Sequence, residues 1–549
     1  MASDNAQATG GEADVGPVPK DWIPGLIENW KSDLVSGIVI FLIALPLCIG
    51  IALASNAPAM AGIIAGFLGG MVISLVSGSY VTINGPAAGL IAITLGAVED
   101  MGQGDIQAGF RYALAAGAIC GFCQIVLGFM NAGKLTAFFP LSVVHGMLAG
   151  IGVIIMVKQV FVALGLKTPS TPMHQTVLKI VPAFGEMVAP VALLGGIAVI
   201  ITVFWPMMKA VAKILPAALV AVLVTVALSM TLGVDKMTDA DGKGYLVDLP
   251  ESFLAGFTAP DFGAPMGKLA KWSFMYLFVN SLESLLTAAA VDKLDPWKRT
   301  SSMKLELVGK GVGNALSSMI GGLPMIAEVV RSAANIQNGA RTRWANFFHG
   351  TLLLLCVAFA SPLLENIPKA ALAGVLCVIG FRLAHPKEFV HALHLGKEEF
   401  LYMTITMLVV VFEDLLMGVL VGIVCGLITN IIKGCSVGNL FKADVEVAQE
   451  AADTHVIKLK RALNFGNFMG IQGKLLAVPR GQTIVLDYGE VHLVDHTVNE
   501  RLHDFEADYA RGGGKVVSRS KDHLANSTHH PLSSLVRKEA KAGSPVGAS

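Results

Sequence analysis

Gly78-Ser-Tyr-Val-Thr-Ile-Asn-Gly-Pro-Ala-Ala-Gly89 and Gly321-Gly-Leu-Pro-Met-Ile-Ala-Glu-Val-Val-Arg-Ser332 are short extended runs, interrupted by Gly and Pro, each leading into a short helical stretch inside long apolar sequence. Backbone polar groups in lipid must be satisfied internally, so such breaks survive at membrane depth only where they line a cavity or are buried in protein. They fall in the third and tenth apolar segments of the chain, seven segments apart. An odd separation makes two halves antiparallel, the arrangement of inverted repeats with a site near the midplane. The N-termini of two half-helices then offer free N–H groups and partial positive charge to one place, which suits an anion. Gly and Pro could also merely kink two packed helices, but the breaks recur at matching positions.

Outward from these breaks, the 549-residue chain is 54% apolar and only 15% charged, too little charge to cover a soluble protein of this length. A crossing helix needs roughly 20 apolar residues. About fourteen segments qualify by length and periodicity: 34–54, 59–77, 86–99, 109–131, 143–165, 187–205, 214–234, 272–291, 306–322, 325–338, 345–361, 368–384, 399–414 and 415–433. The third, ninth and tenth are too short or too Gly-rich for ordinary crossings. With the N-terminus in the cytoplasm, the even loops hold the bases, among them Lys293, Lys298, Arg299, Arg341, Arg343 and Lys397. The odd loops hold acids such as Glu99, Asp100, Asp105, Asp239 and Asp261. That is the positive-inside pattern for an even number of spans with both termini cytoplasmic. It predicts an integral protein of the cell (inner) membrane.

The formal net charge is zero, which gives no polyanion signal and no reason to expect nucleic acid. The seven cysteines lie in or beside apolar runs, and Cys120–Cys123 reads as small residues packing in a helix. Residues 1–20 are polar and read as a disordered tail. Asp21–Lys31 is a short amphipathic stretch whose Trp22 and Trp30 suit a membrane interface. Residues 21–435 form the membrane domain. From about 443 to 540 the pattern becomes that of a small soluble α/β domain. It has strands at His455–Leu459 and Thr483–Asp487, a helix over Thr497–Ala510 and a turn at Gly512 into another strand. Residues 541–549 read as a second disordered tail. Nothing in 443–549 offers a catalytic constellation, so an enzyme is not expected.

Two ionisable features stand out inside the spans. Glu283 lies deep in an apolar helix, where a carboxylate is expensive and marks function by default. Thr287 follows one turn later on the same face. Together they could ligate Na⁺, or Glu283 could bind a proton; alternatively Glu283 pairs with Lys310 or Arg331 for structure. The anion site is expected at Gly85, Pro86, Ala87 and Ala88 of the first break and at Ala327, Glu328, Val329 and Arg331 of the second. Arg331 could supply positive potential, and Glu328 and Arg331 at i,i+3 can pair.

At these residues the chain resembles the SulP (sulfate permease) family of anion transporters over nearly its whole length. The resemblance is carried by Ala44-Leu-Pro-Leu-Cys-Ile-Gly-Ile-Ala52, similar to the family's proline-broken first helix, and by Asn84-Gly-Pro-Ala-Ala88. Two longer motifs are Glu283-Ser-Leu-Leu-Thr-Ala-Ala-Ala-Val-Asp292 and the run from Gly321 through Arg331-Ser-Ala-Ala-Asn-Ile-Gln-Asn-Gly-Ala-Arg-Thr342. Ala462-Leu-Asn-Phe-Gly-Asn467 and Val494-Asp-His-Thr497 resemble the STAS (sulfate transporter and anti-sigma antagonist) domain that follows the membrane part in this family. The resemblance implies an all-α polytopic membrane domain of two inverted seven-span repeats, split into core and gate, followed by a STAS domain. It implies a secondary active transporter of a small inorganic anion that works by an elevator movement, and a homodimer. In the bicarbonate-carrying branch an acid and a Thr one turn later bind Na⁺, which here would be Glu283 and Thr287. The first-span run also resembles that branch. Bicarbonate is therefore the first expectation and sulfate the second, with an uncoupled exchanger or channel as the alternative mechanism. The acid is Glu rather than Asp, which leaves Na⁺ and H⁺ both open, and no other cofactor is expected. Ala87 and Val329 stand where some relatives carry hydroxyls, so backbone N–H groups would do more of the anion binding.

Overall fold

The structure, a computed structural model, describes residues 17–131, 140–169, 171–212, 215–239, 242–250 and 253–538. The disordered tails expected at 1–20 and 541–549 lie outside these residues, apart from 17–20. A helix falls in each apolar segment: α1 (Trp22–Ala54), α2 (Ala59–Leu68), α3 (Ile91–Gly102), α4 (Ile106–Phe129), α5 (Leu141–Ala163), α6 (Ala189–Phe204) and α7 (Ala217–Thr231). The series continues with α8 (Met266–Leu294), α9 (Met303–Met319), α10 (Val329–Gln337), α11 (Trp344–Leu364), α12 (Lys369–Leu383), α13 (Lys397–Phe412) and α14 (Leu415–Ile432). Among the described residues, nine helical runs are long and apolar enough to cross a membrane. The shorter α3 and α10 follow the two breaks.

Helix α1 departs from expectation twice. It begins at Trp22 rather than near residue 34, so the amphipathic stretch is its own first turns. Its 33 residues reach about 50 Å, well beyond a hydrocarbon core of about 30 Å. It also runs unbroken through Pro46, which removes only the hydrogen bond to the carbonyl of Leu42. Its start is anchored by Asp21, which accepts from the Trp22 amide at 2.9 Å and from Arg343 Nε at 2.8 Å. The Arg343 guanidinium lies 4.6 Å from the Trp22 ring centroid.

The chain divides into two compact units. The first comprises residues 1–133, 157–170 and 178–378. In it α1 packs against α2 and α11, α4 packs along α9, and α8 packs against α3 and α4. Close helix contact rests on small residues, as is usual where lipid gives no hydrophobic drive between helices. A Cβ on Gly62 would overlap the carbonyl of Cys48. Helix α2 continues into a π-helical turn at Gly69–Ile73, directly under the first break, where a Cβ on Gly69 would collide with the Asn84 backbone.

The second unit comprises residues 134–156, 171–177 and 379–549. It holds α13 packed on α14, and a C-terminal α/β domain of the kind expected for STAS. Strands Asp444–Ala451, Thr454–Leu463, Thr483–Val494, Leu535–Arg537 and Leu524–Asn526 lie side by side in that order, and Lys515–Arg519 pairs in parallel with Thr483–Asp487. The expected helix runs from His496 to Arg511 and is capped by Asp495. That carboxylate accepts from the Val498 amide at 2.7 Å and from the Phe465 amide at 2.6 Å. Burial holds the Asp495 carboxyl above its ordinary range, against the lowering effect of those two bonds. The short helix Phe468–Leu475 and the edge strand Asp444–Ala451 were not expected from the sequence.

Gly62→Ala should lower stability by about 1–3 kcal/mol through overpacking. Gly267→Ala, where nothing lies within 4 Å, should leave stability unchanged or raise it slightly. Thermal unfolding of the detergent-solubilised protein separates the two. Equal melting temperatures would overturn the close-contact role of Gly62.

Candidate functional site

The two breaks meet. Strands β1 (Ile83–Gly85) and β2 (Ile326–Glu328) pair antiparallel, with Ile83 opposite Glu328, Asn84 opposite Ala327 and Gly85 opposite Ile326. Three residues of strand span about 10 Å. Because the ladder is antiparallel, the turn Ala88–Leu90 with α3 leaves it in one direction and α10 in the other. This is the placement that inverted repeats require.

Polar side chains supply what the interrupted helices lack. Ser332 Oγ accepts from the Ile83 amide at 2.9 Å and donates to the Glu328 carbonyl at 2.6 Å. Asn335 Nδ2 donates to the Val81 carbonyl at 2.9 Å, and Ser36 Oγ of α1 donates to Asn335 Oδ1 at 2.7 Å. Asn314 Oδ1 of α9 accepts from the Met325 amide at 2.7 Å. The Ser and Asn positions of the Arg331–Thr342 motif, with Asn314 of α9, thus satisfy part of the backbone that the break leaves open.

The charges pair in a pattern that the sequence left open. Arg331 is 1% exposed; its Nε donates to Glu328 Oε2 at 2.6 Å and its Nη2 to the Pro86 carbonyl. Lys310, fully buried, donates to Glu306 and to Asn84 Oδ1, and Ser77 Oγ donates to the other oxygen of Glu306. The alternative pairing of Glu283 with Lys310 or Arg331 is therefore not made, because both cations are taken. Glu306 was the residue overlooked. A Glu and a Lys four apart on a helix inside an apolar segment were the signal available for it.

Glu283 is 8% exposed, and its Oε1 has no hydrogen-bond partner. Helix α8 packs against β2, α10 and the Ala88–Leu90 turn, and so carries this carboxylate to both breaks. The carboxylate lies against Gly89, where a Cβ would overlap both of its oxygens. Thr287, 4% exposed, follows on the same face. Of the expected anion-binding residues, Gly85, Pro86, Ala87 and Ala327 are buried in the ladder or at its end, while Ala88 and Glu328 are half-buried. Val329 is 42% exposed at the start of α10. Among the described residues no cluster of His, Cys, Asp and Glu has the grouping of a conventional metal centre.

Known proteins fit this architecture. The family model described as "Sulfate permease family" matches residues 30–406. The putative sulfate transporter YvdB of Bacillus subtilis is 26% identical over 504 residues, covering 89% of this chain and 91% of its own. The bicarbonate transporter BicA of Synechocystis sp. is 25% identical over 504 residues, covering 89% and 88%. Among solved structures, the transmembrane domain of a cyanobacterium bicarbonate transporter BicA superposes with TM-score 0.62 at 24% identity, over 72% of this chain and 97% of that one. The overall structure of SLC26A9 superposes with TM-score 0.66 at 16% identity, over 92% and 86%. These two likenesses concern the fold.

Arg331→Lys keeps the charge but cannot hold Glu328 and the Pro86 carbonyl from one planar fork. It should cost about 1–3 kcal/mol, as should Asn335→Ala, which strands the Val81 carbonyl. Melting temperatures at the wild-type level in both variants would show that these bonds do not hold the ladder.

Proposed function

The chain belongs to the sulfate permease family and is a membrane anion transporter, and from that premise we propose that it carries bicarbonate inward by symport with Na⁺ or H⁺. The anion sits at the ends of β1 and β2, held by the free N–H groups at the starts of α3 and α10. The coupling cation sits on Glu283, with the Thr287 hydroxyl as a second oxygen. An elevator movement of the part that holds both breaks exposes the site to each side in turn. Two copies of the chain form the working unit, with both termini cytoplasmic.

One observation carries the reading: Glu283 is buried and unpartnered while the neighbouring cations are engaged elsewhere. A bare carboxylate beside an anion site repels the anion, and a bound Na⁺ or proton removes the repulsion, so cation and anion bind together. The substrate follows from charge. With Arg331 held by Glu328, positive potential comes mainly from two helix ends, roughly half a charge each. That suits a monoanion such as bicarbonate better than doubly charged sulfate. The bicarbonate transporter BicA among the relatives supports this order, and the sulfate transporters among them keep sulfate as the second reading.

The test is uptake of labelled bicarbonate and sulfate into proteoliposomes under imposed Na⁺ or pH gradients. Bicarbonate should accumulate with one of the gradients. Glu283→Gln should abolish the gradient dependence, and Gly89→Ala, which displaces the carboxylate, should lower coupled uptake by on the order of tenfold. Uptake indifferent to both gradients would sink the coupling, and accumulation of sulfate alone would reassign the substrate.

A further inference from the structure

Helix α8 carries more polar groups than Glu283 and Thr287. Ser273, Tyr276, Asn280 and Ser284 are each 6% exposed or less. At 100° per residue they fall with Glu283 and Thr287 on one face of the helix, within an arc of about 100°. Their polar atoms are orphaned: Ser273 Oγ, Tyr276 OH, both ends of the Asn280 amide and Ser284 Oγ have no hydrogen-bond partner. The Tyr276 hydroxyl lies beside Thr94 and Asn280 beside the Cys120 thiol, but neither approach has hydrogen-bond geometry. The two serines do not bond back to the carbonyl one turn earlier, the usual resting state of Ser in a membrane helix.

This is an odd way to build a packed helix. Gln124 of α4, beside the same helix, is matched by contrast: it donates to Ser281 and accepts from Asn314. The orphaned face runs from Glu283 back to Tyr276, about 10 Å along the axis. It ends one turn further on at Trp272, whose Nε1 donates to Asp100 Oδ2 at 2.8 Å. Asp100 also pairs with Lys268 at 2.8 Å, and both side chains are about a third exposed, at 37% and 32%. Orphaned hydroxyls and amides in a row, closed by a carboxylate at one end and reaching the surface at the other, are what a small cation or its water needs as partners.

We propose that the Tyr276–Asn280–Ser284 face of α8 is the route by which the coupling cation reaches Glu283, with Asn280 its last polar partner before the carboxylate. The proposal rests on the symport reading above. The charged groups facing Glu283 are the Glu328–Arg331 pair; those at the outer end are Asp100, Lys268 and Lys271. Asp100 is held there by Lys268 and Trp272 and stays 37% exposed, so its remaining lone pairs offer an arriving cation an oxygen against the repulsion of the two lysines.

The experiment measures initial anion uptake in proteoliposomes as a function of Na⁺ at fixed pH, and of external pH without Na⁺. The curve that saturates in the wild type identifies the cation. Asn280→Leu should raise the half-saturating cation concentration by about tenfold, and Tyr276→Phe should raise it in the same direction. The anion KM at saturating cation should stay at the wild-type value in both, a split that general loosening of the helix would not produce. Unchanged cation half-saturation in both variants overturns the route. If Asn280→Leu does not fold, Asn280→Ser and Tyr276→Phe decide by the same readout. Glu283→Gln separates the two readings. If it retains gradient dependence, the symport reading fails. If it loses gradient dependence while the α8 variants titrate as wild type, only the route fails.

Discussion

Everything in the first unit depends on a three-residue antiparallel ladder held away from water. Two helices stop, their chains pair for three residues, and two shorter helices start. In lipid each unpaired amide or carbonyl would cost several kcal/mol. The ladder satisfies only part of that requirement, and Ser332, Asn335, Asn314 and the Arg331 fork supply much of the rest. Two of these side chains, Asn335 and Asn314, are themselves fixed by α1 and α4, through Ser36 and Gln124. The surrounding helices therefore lie where the broken backbone needs donors and acceptors. The π-helical turn at Gly69–Ile73 belongs to the same account, since it lets α2 pass against the backbone of Asn84.

The second constraint is charge. Among the described residues around the ladder, Arg331 and Lys310 are matched by Glu328 and Glu306, each within its own helix turn or break. Breaking a buried pair costs more than forming it returns, so these cations are not free to answer Glu283. Among the described residues at the ladder, Glu283 is then the carboxylate left without a cation. Such a group inside a membrane protein marks function by default, and the symport proposed above would supply the missing charge for part of the cycle. That makes the carboxylate of Glu283 and the orphaned face of α8 two parts of one question, namely where that charge comes from and how it arrives.

The fold was legible because lipid leaves few options. Apolar length marked the helical segments, and Gly and Pro marked the two that break. Their odd separation predicted that the breaks run antiparallel, which the register of Ile83 with Glu328 now shows. Less legible was anything set by partners distant in sequence. Lys310 looked available to Glu283 because nothing local shows that Asn84 and Ser77 come to Glu306 and Lys310 across more than 200 residues. The proline at 46 looked like a break because Pro usually is one. One lost hydrogen bond was tolerable in a helix packed on both α2 and α11. The Asn280 face was invisible for a different reason. A Ser, a Tyr and an Asn in an apolar helix are ordinary, and only their lack of partners makes them notable.

A second carboxylate such as Glu328 is what an anion site accommodates least readily. The geometry removes the difficulty. Its carboxylate sits on Arg331 Nε, its carbonyl takes the Ser332 hydroxyl, and its backbone ends β2, so it fixes the start of α10 from three sides. It also cancels most of the guanidinium's charge. A transporter must release what it binds, and sites that pass ions succeed by holding them weakly. An unpaired, desolvated arginine between two helix N-termini would hold an anion too well. In the proposed site Glu328 leaves the helix ends as the attraction, while Arg331 clamps the Pro86 carbonyl. On the reading proposed above, the acidic residue beside the anion site tunes affinity downward, and Glu283, on the helix α8 that packs against β2 and α10, sets when that site is open to an anion.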